Sequence, residues 1–503
     1  MKHKNCKLLS SSGLFADLPV SVSKICSLAP DDAESYSLIN KIKRIRISVS
    51  TSQKLIRGLG LKEATALNMI DMVGIGPFIT IPFVIGAMNG PQCILAWLLG
   101  ALLAYMDGCV WAELGAAFPQ AGGSYIFLKK LYGEKKWGSV FSFLYIWQTV
   151  LQAPLVIASG AIGFAQYLNY LLPLTLVQQK CVSGALIVLL AALLYRKITD
   201  IGRISVFMCI VVAGTLLWVI IAGLTHFHSS LALDIPANGV DFTPAFFAGL
   251  GMASIKTIYS FLGYYNVCHL GGEIRDPEKN IPRSIFLSIT GIAVLYLLMQ
   301  ISILGVIPWR EAKGSSFLIS TFFERLYGNR VAAGATVLIL FVALSSLFSA
   351  TLGYSRVPYA AAVEGDFFKI FSKMHPVKHF PHVSLLVLCA CAFIFSLLFR
   401  LTEVITSIIV MRILVQFIGQ AAGLIAAHYR KKQFHLPYRM WLFPVPALIS
   451  ICIWVFVFFS SGLVYILGAV LTLVTGLGVF LIRARFLQKF PFVKPLSDLT
   501  WKG

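Results

Sequence analysis

Twelve stretches of this chain are apolar over the length a helix needs to cross hydrocarbon, and that feature limits the fold more than any other. A bilayer core takes about 20 mostly apolar residues in helical form. Windows of that kind lie at 64–88, 91–113, 137–169, 181–195, 204–224, 244–271, 284–307, 331–362, 383–400, 404–428, 442–460 and 463–482. The fourth is short, and the boundary between the ninth and tenth is weakly marked. Core helices of a soluble protein would need polar surface between them. With 58% hydrophobic and only 13% charged residues, and a mean hydropathy of +0.81, the chain has too little. The reading is an all-α polytopic membrane protein with about 12 transmembrane helices.

The net charge of +21 is explained by its distribution. If the spans alternate from a cytoplasmic N-terminus, most of the 42 lysines and arginines fall on the inner side, while Lys256 and Arg412 lie within spans. This positive-inside pattern places both termini in the cytoplasm. It points to membrane lipids, through anionic headgroups, and away from nucleic acid. Residues 1–57 are serine-rich, carry the basic run KIKRIR at 41–46, and lack the apolar core and cleavage site of a signal peptide. They read as a mostly disordered cytoplasmic tail, with a surface-lying helix near 38–57 as the alternative. Of ten cysteines, Cys6 and Cys26 lie in this tail, Cys181 at a membrane edge, and the others in or beside spans. A reduced, unpaired set is expected.

The first span contains DMVGIGPFIT, residues 71–80, with an aspartate, two glycines and a proline mid-membrane. Glycine costs a helix interior about 1 kcal/mol and proline about 3 kcal/mol. A break there frees amides and carbonyls that hydrocarbon cannot satisfy, so it is tolerated only inside protein or along a cavity. Close helix packing is the competing explanation for such glycines. The sixth span repeats the pattern: in YSFLGYYNVCHLGGEIRDP, residues 259–277, Gly263 falls mid-membrane between aromatics. Five spans separate the breaks, so a repeated five-helix unit would be inserted upside down. Paired interruptions at corresponding positions point to a transporter's binding site. The division that follows is a first half at 58–225, an inverted second half at 240–430, two further helices at 440–483 and a C-terminal cytoplasmic tail at 484–503. One half-helix offers carbonyls suited to an ammonium group, the other amides and a positive dipole end suited to a carboxylate. Together they suit a zwitterion.

At these residues the chain resembles the amino acid–polyamine–organocation superfamily of permeases. GIGPF at 74–78 stands at the family's glycine-rich first break. AELGAAFPQAGGSYIFL at 112–128 resembles the segment after span two. SFLGYYNVCHLGGEIRDPEKNIPRSI at 260–285 resembles the broken sixth span and its proline-spaced tail, and SRVPYAAAVEGDFFKIFSKMHP at 355–376 the end of span eight. The resemblance implies two inverted five-helix repeats plus two C-terminal helices, alternating access, and amino acid transport. It implies that backbone groups of Gly74, Ile75, Gly76 and Pro77 bind the substrate carboxylate. Carbonyls of Phe261, Leu262 and Gly263 would meet the ammonium group, with Tyr259 as an aromatic gate and Tyr264, Tyr265 and Asn266 completing the pocket.

Two departures bear on the substrate. Pro77 removes one amide from the carboxylate site. Tyr265 stands where relatives handling arginine, agmatine or polyamines have an acid, so a second positive charge would lack its counter-ion. Span five also has no lysine in its apolar part, so the proton mechanism of relatives that carry one there is not implied.

Other polar residues each carry two readings. Asp71 is a protonatable coupling residue or a local cap and gate partner. Ser345, Ser346 and Ser349 are sodium ligands or hydroxyls bonded to neighbouring backbone. Lys256 is a gate or a snorkelling lysine. Glu113, Glu273 and Arg356 form an inner gate or serve topology and folding. His375, His379 and His382 have no cysteine or carboxylate cluster to complete a tetrahedral site, so no metal is expected. No phosphate-binding loop, zinc-protease helix or nucleophile elbow occurs, so neither an enzyme nor a cofactor is expected. The sequence-level conclusion is a plasma-membrane secondary transporter of an amino acid or related amine, driven by a proton or sodium gradient or by exchange. A polyamine or other organocation carrier, and a non-transporting nutrient receptor or a channel, are its rivals, and the sequence does not say whether an accessory subunit is present.

Overall fold

The computed structural model describes residues 55–237, 239–398, 401–429, 434–487 and 490–492. The tail at 1–54, its alternative surface helix, and most of the C-terminal tail lie outside the described residues. The first expected span is two helices, α1 (Leu61–Met72) and α2 (Gly76–Met88), bent by 44°. Then follow α3 (Ile94–Ala117), a short α4 (Ser124–Tyr132), α5 (Trp137–Leu168), α6 (Leu176–Leu194) and α7 (Ile198–Thr225). The sixth expected span is α8 (Pro244–Phe261) and a single turn, α9 (Asn266–His269). The chain continues through α10 (Pro277–Leu304), α11 (Leu318–Tyr327), α12 (Asn329–Val363) and α13 (His382–Leu398). Next come α14 (Leu401–Arg412), a π-helical turn at Ile413–Ile418, and α15 (Gly419–Tyr429). The last two are α16 (Val445–Ser460) and α17 (Leu463–Phe486).

Eight helices among the described residues are long and apolar enough to cross a membrane, and the bent α1–α2 pair makes a ninth. The 18-residue α8 and the shorter apolar helices α13 and α16 occupy the remaining expected places. The fourth window, drawn at 181–195, was cut too short. Its helix begins at Leu176, where Thr175 and Gln178 form a reciprocal cap that a hydropathy window passes over. The sixth window, to 271, ends two residues past α9; the second arm is the single turn Asn266–His269, followed by a 3-10 turn at Gly271–Glu273.

The broken helices lie inside the bundle. α1 packs on α7, α10 and α12, and α2 on α8. By contrast α17 keeps most of its apolar surface exposed, as a lipid-facing helix does. On the face where residue 59 begins, here the near face, the broken segments are tied by backbone. Leu59 donates to the Glu273 carbonyl at 3.0 Å, and Arg275 donates to the Leu59 carbonyl at 2.8 Å. Beside this tie the Arg356 guanidinium forks onto Glu273 at 3.0 and 2.9 Å, both side chains fully buried. Lys129 on α4 pairs with Glu364 at 3.0 Å and Asp366 at 2.8 Å. Burial works against its charge, but these two carboxylates outweigh it and hold the ammonium above the ordinary lysine pKa.

Candidate functional site

The two breaks touch. Gly263 has φ +125°, a left-handed conformation that side chains avoid, and a Cβ there would stand 2.7 Å from the Met72 amide nitrogen. A Cβ on Gly74 would stand 2.6 Å from the Ser346 hydroxyl. At Gly263 the first and sixth segments meet backbone to backbone and only glycine fits, whereas at Gly74 the close neighbour is the Ser346 side chain of α12.

The freed backbone groups are partly satisfied across the junction. Tyr296 on α10 donates to the carbonyls of Met72 (2.8 Å) and Ser260 (3.1 Å), bridging both breaks. Ser346 donates to the Asp71 carbonyl at 3.2 Å. Asn68 on α1 accepts from the Val267 amide at 2.9 Å and so caps the turn after the second break. Among the described backbone bonds, none takes up the amides of Ile75, Gly76 and Phe78 or the carbonyls of Phe261 and Leu262. One helix start thus presents donors and one helix end presents acceptors, the two halves of a zwitterion site.

A cavity of about 70 Å³ lies at this junction. Its wall includes Asp71, Gly74, Ile75, Gly76, Tyr259, Leu262, Gly263, Tyr265 and Ser346, all named from the sequence. The other candidates are placed elsewhere. Pro77 is buried at the start of α2. The Phe261 ring packs edge-on against Trp97 and Tyr296. Tyr264 donates to the buried carboxylate of Asp107 at 2.5 Å. Asn266 donates to Ser349 Oγ at 2.8 Å, and Ser349 donates to the Leu67 carbonyl at 2.7 Å. Ser345 bonds back to the Phe341 carbonyl in its own helix at 2.8 Å.

Lys256 donates to Thr406 at 3.3 Å. Glu113 accepts from the Met440 amide at 3.0 Å and meets His428 Nε2 at 2.5 Å. Glu273 and Arg356 form the buried near-face pair. Of the three histidines, His375 is bound locally: its Nδ1 accepts the amides of Val377 and Lys378 at 3.2 Å, and its ring stacks on Phe380.

Sequence reasoning noted Arg412 inside a span but gave it no role. It stands on the cavity wall together with Tyr354, and the signal was a lone arginine in an apolar run. Tyr296 and Asp107 were also missed. A tyrosine among aromatics carries no mark of the carbonyls it will bridge, whereas Asp107, a lone acid in an apolar span, was legible in the same way as Arg412.

The amino acid permease family matches residues 59–481. Mouse solute carrier family 7 member 13 is 25% identical over 460 residues, covering 88% of this chain and 93% of that protein. The Bacillus subtilis serine/threonine exchanger SteT is 24% identical over 449 residues, 85% of this chain and 94% of its own. Mouse cationic amino acid transporter 4 is 25% identical over 415 residues, 78% of this chain, which spans 63% of that longer protein.

Proposed function

The chain belongs to the amino acid permease family, and from that premise we propose that it is a secondary active transporter moving an amino acid across the plasma membrane by alternating access. The observation that carries this reading is the contact of the two helix breaks around one cavity, with Gly263 against Met72 and Tyr296 bridging both. The amides at Ile75, Gly76 and Phe78 take the substrate's α-carboxylate, with Pro77 contributing none. The carbonyls of Phe261 and Leu262 take its ammonium group. Tyr259 on the cavity wall shields the site on one side. On the other side the Leu59–Glu273–Arg275 backbone tie and the Glu273–Arg356 pair close the near face, which the charge distribution makes cytoplasmic. In this reading residues 58–225 and 240–430 are the two inverted halves that rock against each other. Asp71, on the cavity wall, is the candidate group for coupling to a proton or sodium gradient. A polyamine is disfavoured because the wall already holds the Arg412 cation.

Purified protein in liposomes should accumulate a labelled amino acid when proton and sodium gradients are imposed separately. Gly76→Leu is the control, since even a Cβ there would press on the Tyr259 ring at 3.3 Å. Uptake abolished in the control supports the site. Binding without uptake in any gradient would make the protein a receptor. An Asp71→Asn variant with unchanged ion dependence would remove the coupling role.

A further inference from the structure

Arg412 is the last residue of α14, and the π-helical turn Ile413–Ile418 begins immediately after it. A single π turn inside an α-helix is uncommon and is found mostly at functional sites. Here it leaves a guanidinium that is only 3% exposed on the wall of the central cavity. Nε donates to Gln416. Nη1 donates to the hydroxyls of Tyr265 and Tyr354, each at 2.8 Å. Nη2 has no partner. Among the described residues no carboxylate lies within ion-pair distance of this guanidinium, although Asp71 is on the same wall. The guanidinium also lies over the rings of Tyr265, Tyr354 and Phe417, 5.3, 5.6 and 5.6 Å from their centroids. A buried cation held only by such neutral partners is a costly arrangement unless a counter-charge completes it. The planar fork fits a carboxylate.

We infer that Arg412 receives a carboxylate on the substrate's side chain, so that the transporter is selective for short acidic amino acids. The inference rests on the permease reading and deepens it. All three charges of such a substrate then meet opposite partners. The α-carboxylate lies at the amides of the first break. The ammonium group lies at the carbonyls of the second. The side-chain carboxylate lies on Arg412 Nη2. A neutral substrate leaves Arg412 unpaired, and a basic one brings a second cation toward it. The cavity adds a size limit: one water needs about 10–15 Å³, so about 70 Å³ suits a short side chain and excludes a bulky one in this conformation.

The test is competition between the near-isosteric pair aspartate and asparagine, with serine and arginine alongside, in liposomes and in thermal-shift binding on detergent-purified protein. Aspartate should be preferred over asparagine by about tenfold or more, the scale of one charge-assisted hydrogen bond. Arg412→Gln should collapse that ratio toward unity, and Arg412→Lys should restore part of it. Wild-type preference for asparagine, serine or arginine overturns the inference. So does an Arg412→Gln variant that depresses aspartate and asparagine equally, which would assign Arg412 to the common α-groups. If Arg412→Gln does not fold, the wild-type ratio alone decides. If no amino acid is transported, the thermal shift separates the two failures: stabilisation by aspartate over asparagine keeps the recognition site while the transport reading falls, and equal or absent stabilisation removes both.

Discussion

Tyr296 concentrates the residue-scale logic of this protein in one hydroxyl. A helix interrupted inside hydrocarbon exposes carbonyls that lipid cannot satisfy, and this hydroxyl meets one from each break, at Met72 and Ser260. Tyr296→Phe removes it while keeping the ring that packs on Trp97 and Phe261. Leaving a buried acceptor unsatisfied costs about 1–3 kcal/mol, so the variant should unfold at lower temperature in detergent and transport more slowly. An unchanged midpoint would mean that water already serves both carbonyls. Gly263→Ala should be worse for transport, because its φ of +125° and the 2.7 Å approach to Met72 leave no place for a methyl group. Full uptake by that variant would show that the two breaks separate freely. The glycines were legible in the sequence because glycine inside an apolar run is itself a signal. The partners of the breaks were not: Tyr296 and Tyr354 come from other helices, and residue type alone does not say which tyrosine faces a carbonyl or a guanidinium.

At the scale of elements, helix positions follow from hydropathy, whereas their ends follow from local chemistry. The fourth window missed the start of α6 because its first turn, LVQQ, is half polar and depends on the Thr175–Gln178 cap. The second arm of the sixth span is only one turn, Asn266–His269, because the backbone passes into a 3-10 turn at Gly271–Glu273, which hydropathy alone does not mark. What holds this short arm is tertiary: Asn68 caps it, and Glu273 anchors its end to Arg356. Breaking a buried ion pair on one side strands a charge and costs about 3–5 kcal/mol, whereas replacing both partners by apolar groups is often neutral. Glu273→Gln should therefore destabilise strongly, and the double change Glu273→Leu with Arg356→Met should recover most of the loss in the same unfolding assay. A single variant as stable as the parent would mean that the pair contributes little to holding the arm. If the double variant is stable yet transports poorly, the pair belongs to the near-face gate as well as to folding.

For the whole molecule, the distribution of charge supplies a direction that the packing of helices does not. The bundle would pack equally well facing either way, and on the proposed reading the basic clusters on the near face assign that side to the cytoplasm. Lys135 is exposed beside α4 on the near face, and Lys313 is exposed on the opposite face. Single cysteines at these two positions, in a background where Cys6, Cys26, Cys181 and Cys452 are replaced by serine because Cys181 and Cys452 are exposed and the other two lie in the tail, read the orientation directly. A membrane-impermeant thiol reagent should label Lys313→Cys in intact cells and Lys135→Cys only after permeabilisation. The reversed pattern would invert every assignment that depends on sidedness, making the Glu273–Arg356 pair an outer gate. The cavity would keep its lining, since the contact between the breaks and the position of Arg412 do not depend on which side faces the cytoplasm. On the proposed reading, substrate choice and membrane orientation are therefore separable properties of this chain, one assigned to the helix breaks with α14 and the other to its surface lysines and arginines.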